Sequence, residues 1–131
     1  MKQFISAICL VVPDYDQAID FYVNCLGFTL VEDTQMSPTK RWVTVAPPGS
    51  KETKLLLAKA DGSDQAASIG TQAGGRVFLF LNTDDFQRDF VKMEQAGVIF
   101  LESPRHEAYG SVVVFQDPFG NKWDLIEPKP Q

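Results

Sequence analysis

The stretch DYDQAIDFYVNCLGF, residues 14–28, sets the register from which the rest of the chain can be read. Before it lies an apolar run rich in β-branched residues, 4–12, closed by Pro13, which reads as a strand ended by a turn. Asp14 stands where a helix N-cap belongs and Gln17 follows at capping-box spacing, so the first-turn amides have side-chain acceptors. Tyr15, Ala18, Ile19, Tyr22, Cys25 and Leu26 then fall on one stripe at the helical period. Gly27 is the expected stop, because a helix C-terminus commonly ends on a left-handed residue.

Outward from this helix the pattern predicts strands over 29–34, 41–46 and 53–59, with Pro47, Pro48 and Gly49 turning the chain between the last two. Residues 61–75 are small, polar and rich in glycine, which predicts a mobile linker. The same grammar then restarts: an apolar strand at 77–81, a cap at Asp84 with Gln87, and a stripe of Phe86, Phe90 and Met93 ending at Gly97. Strands are predicted near 98–102, 111–116 and 122–126, the last two joined by Asp117, Pro118, Phe119 and Gly120. The two halves thus align at an offset of about 70 residues, each as strand–helix–strand–strand–strand. Neither half can bury its single apolar sheet face and one helix alone, so both belong to one α+β domain. The expected organisation is a first module at 1–60, a linker at 61–75 and a second module at 76–131.

Composition narrows the function classes. With 131 residues, 44% hydrophobic and 22% charged, the chain can build one ordinary core without disulfides. Its net charge of −5 and lack of a basic cluster argue against nucleic acid and anionic membranes as partners. No apolar run is long enough for a membrane helix, and the N-terminus lacks the cleavage pattern of a signal peptide. Cys9 and Cys25 read as buried thiols of a cytoplasmic protein. A single histidine and the absence of a CxxC exclude a zinc site made of thiolates and imidazoles.

The segment 14–28, together with FQDPFGNKWDLIEP at 115–128, resembles the vicinal oxygen chelate superfamily, the glyoxalase, bleomycin-resistance and extradiol dioxygenase group. RWVTVAPPG at 41–49 and AYGSVVVFQDPFGN at 108–121 look like its subgroup of glyoxalase/bleomycin-resistance proteins. The resemblance implies two βαβββ modules whose mixed sheets curl into a cup, with metal ligands pointing inward from the first and last strands of each half. Carried across by motif, the ligand positions are Ala7, Lys54, Asp124 and either Phe78 or Val77, according to whether the second helix is capped by Asp85 or Asp84. Only Asp124 is of a type that holds a divalent ion, so no metal site is expected and a divalent cofactor keeps low standing. Rebuilding a site from Glu52, Glu102, His106 and Glu107 has no spacing to support it. An ion pair between Lys54 and Asp124 in the place of the metal is an alternative expectation, because a buried charge needs a partner.

Strand parity expects Ala7, Cys9 and Val11 on the concave side, with Phe78, Phe80, Asn82, Asp124 and Ile126. That wall is mostly apolar with a few polar points, the composition of a small-molecule pocket. Arg41, Trp42, His106 and Tyr109 are the expected rim, Arg41 for a ligand anion and Trp42 or Tyr109 for a flat ring or cation. Residues 32–42, with Met36 near the tip, are expected to form a mobile lid. The functional expectation is a small-molecule-binding protein without the standard metal ligands, sequestering an aromatic or cationic compound. The alternatives are a lyase or dioxygenase with a non-standard metal site and a non-catalytic dimeric regulatory domain. By resemblance the protein is also expected to be a homodimer.

Overall fold

The computed structural model describes residues 1–130. The chain is mixed α+β with two mixed sheets, and it divides into two compact units, Met1–Ile69 and Gly70–Gln131.

In the first unit, β1 (Ala7–Val12) leads into a helix that is α-helical over Tyr15–Ile19 (α1) and π-helical over Asp20–Cys25. Asp14 caps it as the sequence predicts, its Oδ2 accepting from the Gln17 amide at 2.9 Å. The π turn adds a residue to the repeat, which rotates the buried stripe so that Phe21 lies inside beside Tyr22, their rings edge to face at 5.0 Å. Phe21 is therefore a core residue that a strict helical period misses. Strands β2 (Thr29–Gln35), β3 (Arg41–Ala46) and β4 (Lys54–Lys59) complete a sheet of order β1-β4-β3-β2. β1 and β4 run parallel, and the others antiparallel. Leu10, Val12, Val43, Val45, Leu55 and Leu57 are buried at alternate positions, making the face on which α1 lies.

The segment 32–42 is a hairpin, not the lid expected from its polar composition. β2 and β3 pair down to Gln35 and Arg41, leaving only a short turn in which Met36 and Ser37 donate to the Lys40 carbonyl. The stretch 61–75 likewise contains a short helix, α2 (Ser63–Ser68), which packs on β1.

The second unit holds β5 (Val77–Asn82), α3 (Phe86–Gln95), β6 (Ile99–Phe100), β7 (Arg105–Glu107), β8 (Gly110–Gln116) and β9 (Lys122–Pro128). Its sheet order, β5-β9-β8-β6 with β7 also on β8, repeats the first unit, including the parallel pair between first and last strand. The cap of α3 is Asp85 rather than Asp84: its Oδ1 accepts from the Arg88 amide at 3.0 Å. Asp84 pairs with the Arg88 guanidinium instead. The Glu127 carboxylate accepts from the Phe86 amide at 2.7 Å, tying the helix start to β9. A run of aromatic contacts from Phe86 through Phe90, Phe100 and Phe115 to Trp123 joins α3 to the sheet. These rings identify the helix-bearing face.

Candidate functional site

Each sheet has one face under its helix and one face turned away from it, and register assigns every candidate residue to one or the other. In the first sheet Ala7 pairs with Lys54, Cys9 with Leu56, and Leu56 with Thr44. Trp42, two residues from Thr44, shares that side, so the open face carries Ala7, Cys9, Trp42, Thr44, Lys54 and Leu56. Cys9 is exposed there, which corrects the expectation of a buried thiol; Cys25 is half-buried, and burial, aided by Asp20, pushes its thiol up. Thr44 is only 2% exposed, and its Oγ1 has no hydrogen-bond partner among the described residues.

Arg41 lies one residue out of phase with Trp42, and its side chain is on the helix side. Its guanidinium takes Asp33 in a two-pronged pair, at 3.1 and 2.7 Å, and Asp16 at 2.9 Å, and stands over the Tyr15 ring at 5.2 Å. Both carboxylates hold its pKa high, and in return Arg41 keeps the Asp33 carboxyl low. A residue so engaged fastens α1, β2 and β3 together, so the rim role expected for Arg41 is withdrawn.

In the second sheet Asp124 pairs with Phe80 on one side and Val114 on the other. Its neighbours Trp123 and Leu125 are buried on the helix side, so Asp124, Phe80, Val114 and Ile126 occupy the open face. Arg105 pairs with Val112 and joins them, with Glu107 two residues on. His106, between these two, points the other way: it bonds the Ser111 hydroxyl through Nδ1 at 2.9 Å and meets the Phe86 ring edge-on at 6.4 Å. The expected place of His106 at the pocket rim is thus also corrected. The histidine sits in β7, a three-residue strand that reads as loop because Pro104 precedes it and Gly110 follows.

The open face of the second unit combines one large exposed ring with a half-buried acid. Phe80 is 67% exposed and Tyr109, in the turn after β7, 54%. Asp124 Oδ1 is buried without a hydrogen-bond partner among the described residues. Burial pushes its carboxyl above the ordinary range; Arg105 opposes this and Glu102 adds to it. Arg105 is itself held, by Glu102 at 2.9 Å and Glu107 at 3.2 Å with Tyr109 as a further partner, while Glu102 Oε2 accepts from the Val114 amide at 2.9 Å. The buttress fixes the charges beside Asp124 but gives Oδ1 no donor.

Two mixed sheets of matching order, each with one covered and one open face, define a class of paired βαβββ modules. The chain belongs to the Glyoxalase/Bleomycin resistance protein/Dioxygenase superfamily, whose family model matches residues 4–125. It is 58% identical over 128 residues to an uncharacterized protein of Shewanella frigidimarina (strain NCIMB 400), covering 97% of this chain and 95% of the relative. Among solved structures it is similar to UcmS2, with a TM-score of 0.84 and 28% identity over 97% of this chain and 99% of that one. It is also similar to TnmS3, an antibiotic binding protein from Streptomyces sp. CB03234, with a TM-score of 0.77 and 31% identity over 98% of each chain.

The superfamily implies a divalent metal, and the donors present can be tested against one. With the helix capped at Asp85, the four positions carried over by motif are Ala7, Lys54, Phe78 and Asp124: a methyl, an ammonium, a phenyl and one carboxylate. Among the described residues no three His, Cys, Asp or Glu side chains come together as a metal would need. This donor set does not fit a divalent ion.

Proposed function

We propose that the protein is a small-molecule-binding member of its superfamily that works without a metal, taking its ligand on an open sheet face and acting as a homodimer. The observation that carries this reading is the open face of the second sheet. There an exposed Phe80, aliphatic Val114 and Ile126, and a single carboxylate with an unpartnered buried oxygen lie side by side. A mostly apolar wall with a few fixed polar atoms suits a flat organic ligand, because area supplies affinity and the polar atom supplies orientation. Phe80, Tyr109 and Asp124 are the binding residues on this reading; Ala7, Cys9, Trp42 and Lys54 on the open face of the first sheet, and Phe78 in β5, are secondary candidates. The likeness to TnmS3, an antibiotic binding protein, supports the same class of ligand.

The test is thermal unfolding against a panel of natural-product and drug-like compounds in chelator-containing buffer. Ligands at a hundred times their dissociation constant should stabilise the fold by about 2.7 kcal/mol. Amide shift changes on titration should map to β5, β8 and β9. A panel with no stabilising compound, or shifts confined to the helix-bearing faces, would overturn the reading. Light scattering checks the dimer; a monomer at working concentration contradicts it.

A further inference from the structure

From the open face of the second sheet we infer that the ligand is an organic cation, a protonated amine attached to a flat apolar body, and that Asp124 is the residue that selects it. This rests on the proposed small-molecule function and goes beyond it by naming the ligand's charge. Three observations converge. The first is an oxygen in need of a donor: Asp124 Oδ1 is removed from solvent and has no partner among the described residues. A buried acceptor left unmade is costly, and an ammonium N–H offers the strongest partner of neutral-pH chemistry. The second is local charge. Asp124 and Glu102 are the carboxylates here; Arg105 is already spent on Glu102 and Glu107, and Lys122, on the same side of β9 as Asp124, donates to the Gly75 carbonyl, so both nearby cations are engaged. An anionic ligand would find no free cation there and a neutral one no charged partner beyond the carboxylate. The third is the ring. Phe80 is paired in register with Asp124 and two-thirds exposed, placing an aromatic face beside the carboxylate, where it can hold a flat body and favour an adjacent cation. Lys54, a charged candidate on the open face of the first sheet, lies in the first unit.

The test uses a matched series of probes: 2-naphthylmethylamine, 2-naphthylmethanol and 2-naphthoic acid, titrated by calorimetry into the wild-type protein and Asp124→Asn. Wild type should bind the amine at least about tenfold more tightly than the alcohol, with the acid weakest. Asp124→Asn should bind the amine and alcohol about equally. Amide shift mapping on the wild-type protein gives a second readout that does not depend on the variant's folding: the amine must move Phe80, Val114 and Asp124. Equal affinity of amine and alcohol for the wild type, or an undiminished amine preference in Asp124→Asn, overturns the cation inference while leaving small-molecule binding intact. Silence from all three probes, together with a panel that stabilises nothing, overturns both. Silence from the probes with a panel hit that is neutral or anionic overturns the cation inference alone.

Discussion

Removing the carboxylate of Asp117 should be among the most damaging single changes in the second unit. Asp117 is fully buried at the turn between β8 and β9. Its Oδ1 accepts from the Phe119 amide at 3.0 Å and the Asn121 amide at 2.9 Å, and its Oδ2 accepts from Asn121 Nδ2 at 2.7 Å. The Asp117 amide in turn donates to the Asn121 carbonyl at 2.9 Å, so one side chain closes the whole turn. Asp117→Ala strands three donors, each worth about 1–3 kcal/mol when left unmade, and water entering the vacated space offsets part of this. The expected loss is about 3–5 kcal/mol. For a chain of this size each kcal/mol moves the midpoint by roughly 3–5 °C, so Tm should fall by about 10–20 °C. Urea unfolding followed by tryptophan fluorescence measures it, since Trp123 lies in β9 just beyond the turn. Asp117→Asn retains the acceptor for the two amides but turns an NH2 toward Asn121, and should lie between. Pairing it with Asn121→Asp restores a donor and an acceptor across that contact and should recover part of the loss. A fall of less than about 1 kcal/mol for Asp117→Ala would refute the view that this carboxylate holds the turn.

Acid should weaken the fold in part through Asp33. Arg41 holds its folded pKa below the ordinary carboxylate value, so the stability it contributes is present above about pH 4 and is lost as pH falls through the folded pKa. Arg41→Met should flatten the acid limb of the urea midpoint between about pH 2.5 and 5, and an unchanged slope would contradict this assignment. Gly70 adopts φ +77°, and a Cβ there would run into the backbone carbonyl of Phe119. Gly70→Ala should therefore cost about 2 kcal/mol or more in urea unfolding, and a neutral substitution would show that the backbone moves freely. Since His106 is on the helix side, His106→Ala should leave every dissociation constant in the panel within about twofold. A tenfold weakening would return the histidine to the site.

Much of this architecture was legible because Asp14, Gln17 and Gly27 bracket one helix and the same punctuation recurs in the second half. What misled was local ambiguity. Two adjacent aspartates compete to cap α3, and Gln87 spacing favoured Asp84. Thr83 decides otherwise in the fold: its hydroxyl accepts from the Asp85 amide and donates to Asp89, which places Asp85 at the cap. The buried Phe21 was hidden by a π turn that no hydrophobic period announces. Arg41 could have been placed correctly from its strand alone, because it is in phase with Val43 and Val45, both fully buried under the helix. Its charge suggested a ligand, while parity pointed to the core side. The Lys54–Asp124 ion pair is an expectation of the motif alone, resting on which residues fall at two of the ligand positions. No helix among the described residues is long and apolar enough to cross a membrane.

The central claim is that ligand binding needs no metal. Its most direct measurement is calorimetric titration of a compound from the panel into one protein sample before and after exhaustive chelation, with elemental analysis of both. The account predicts far less than one equivalent of any divalent metal at the start and the same dissociation constant afterwards. One equivalent of metal, with binding lost on chelation and restored by adding the ion back, would contradict it.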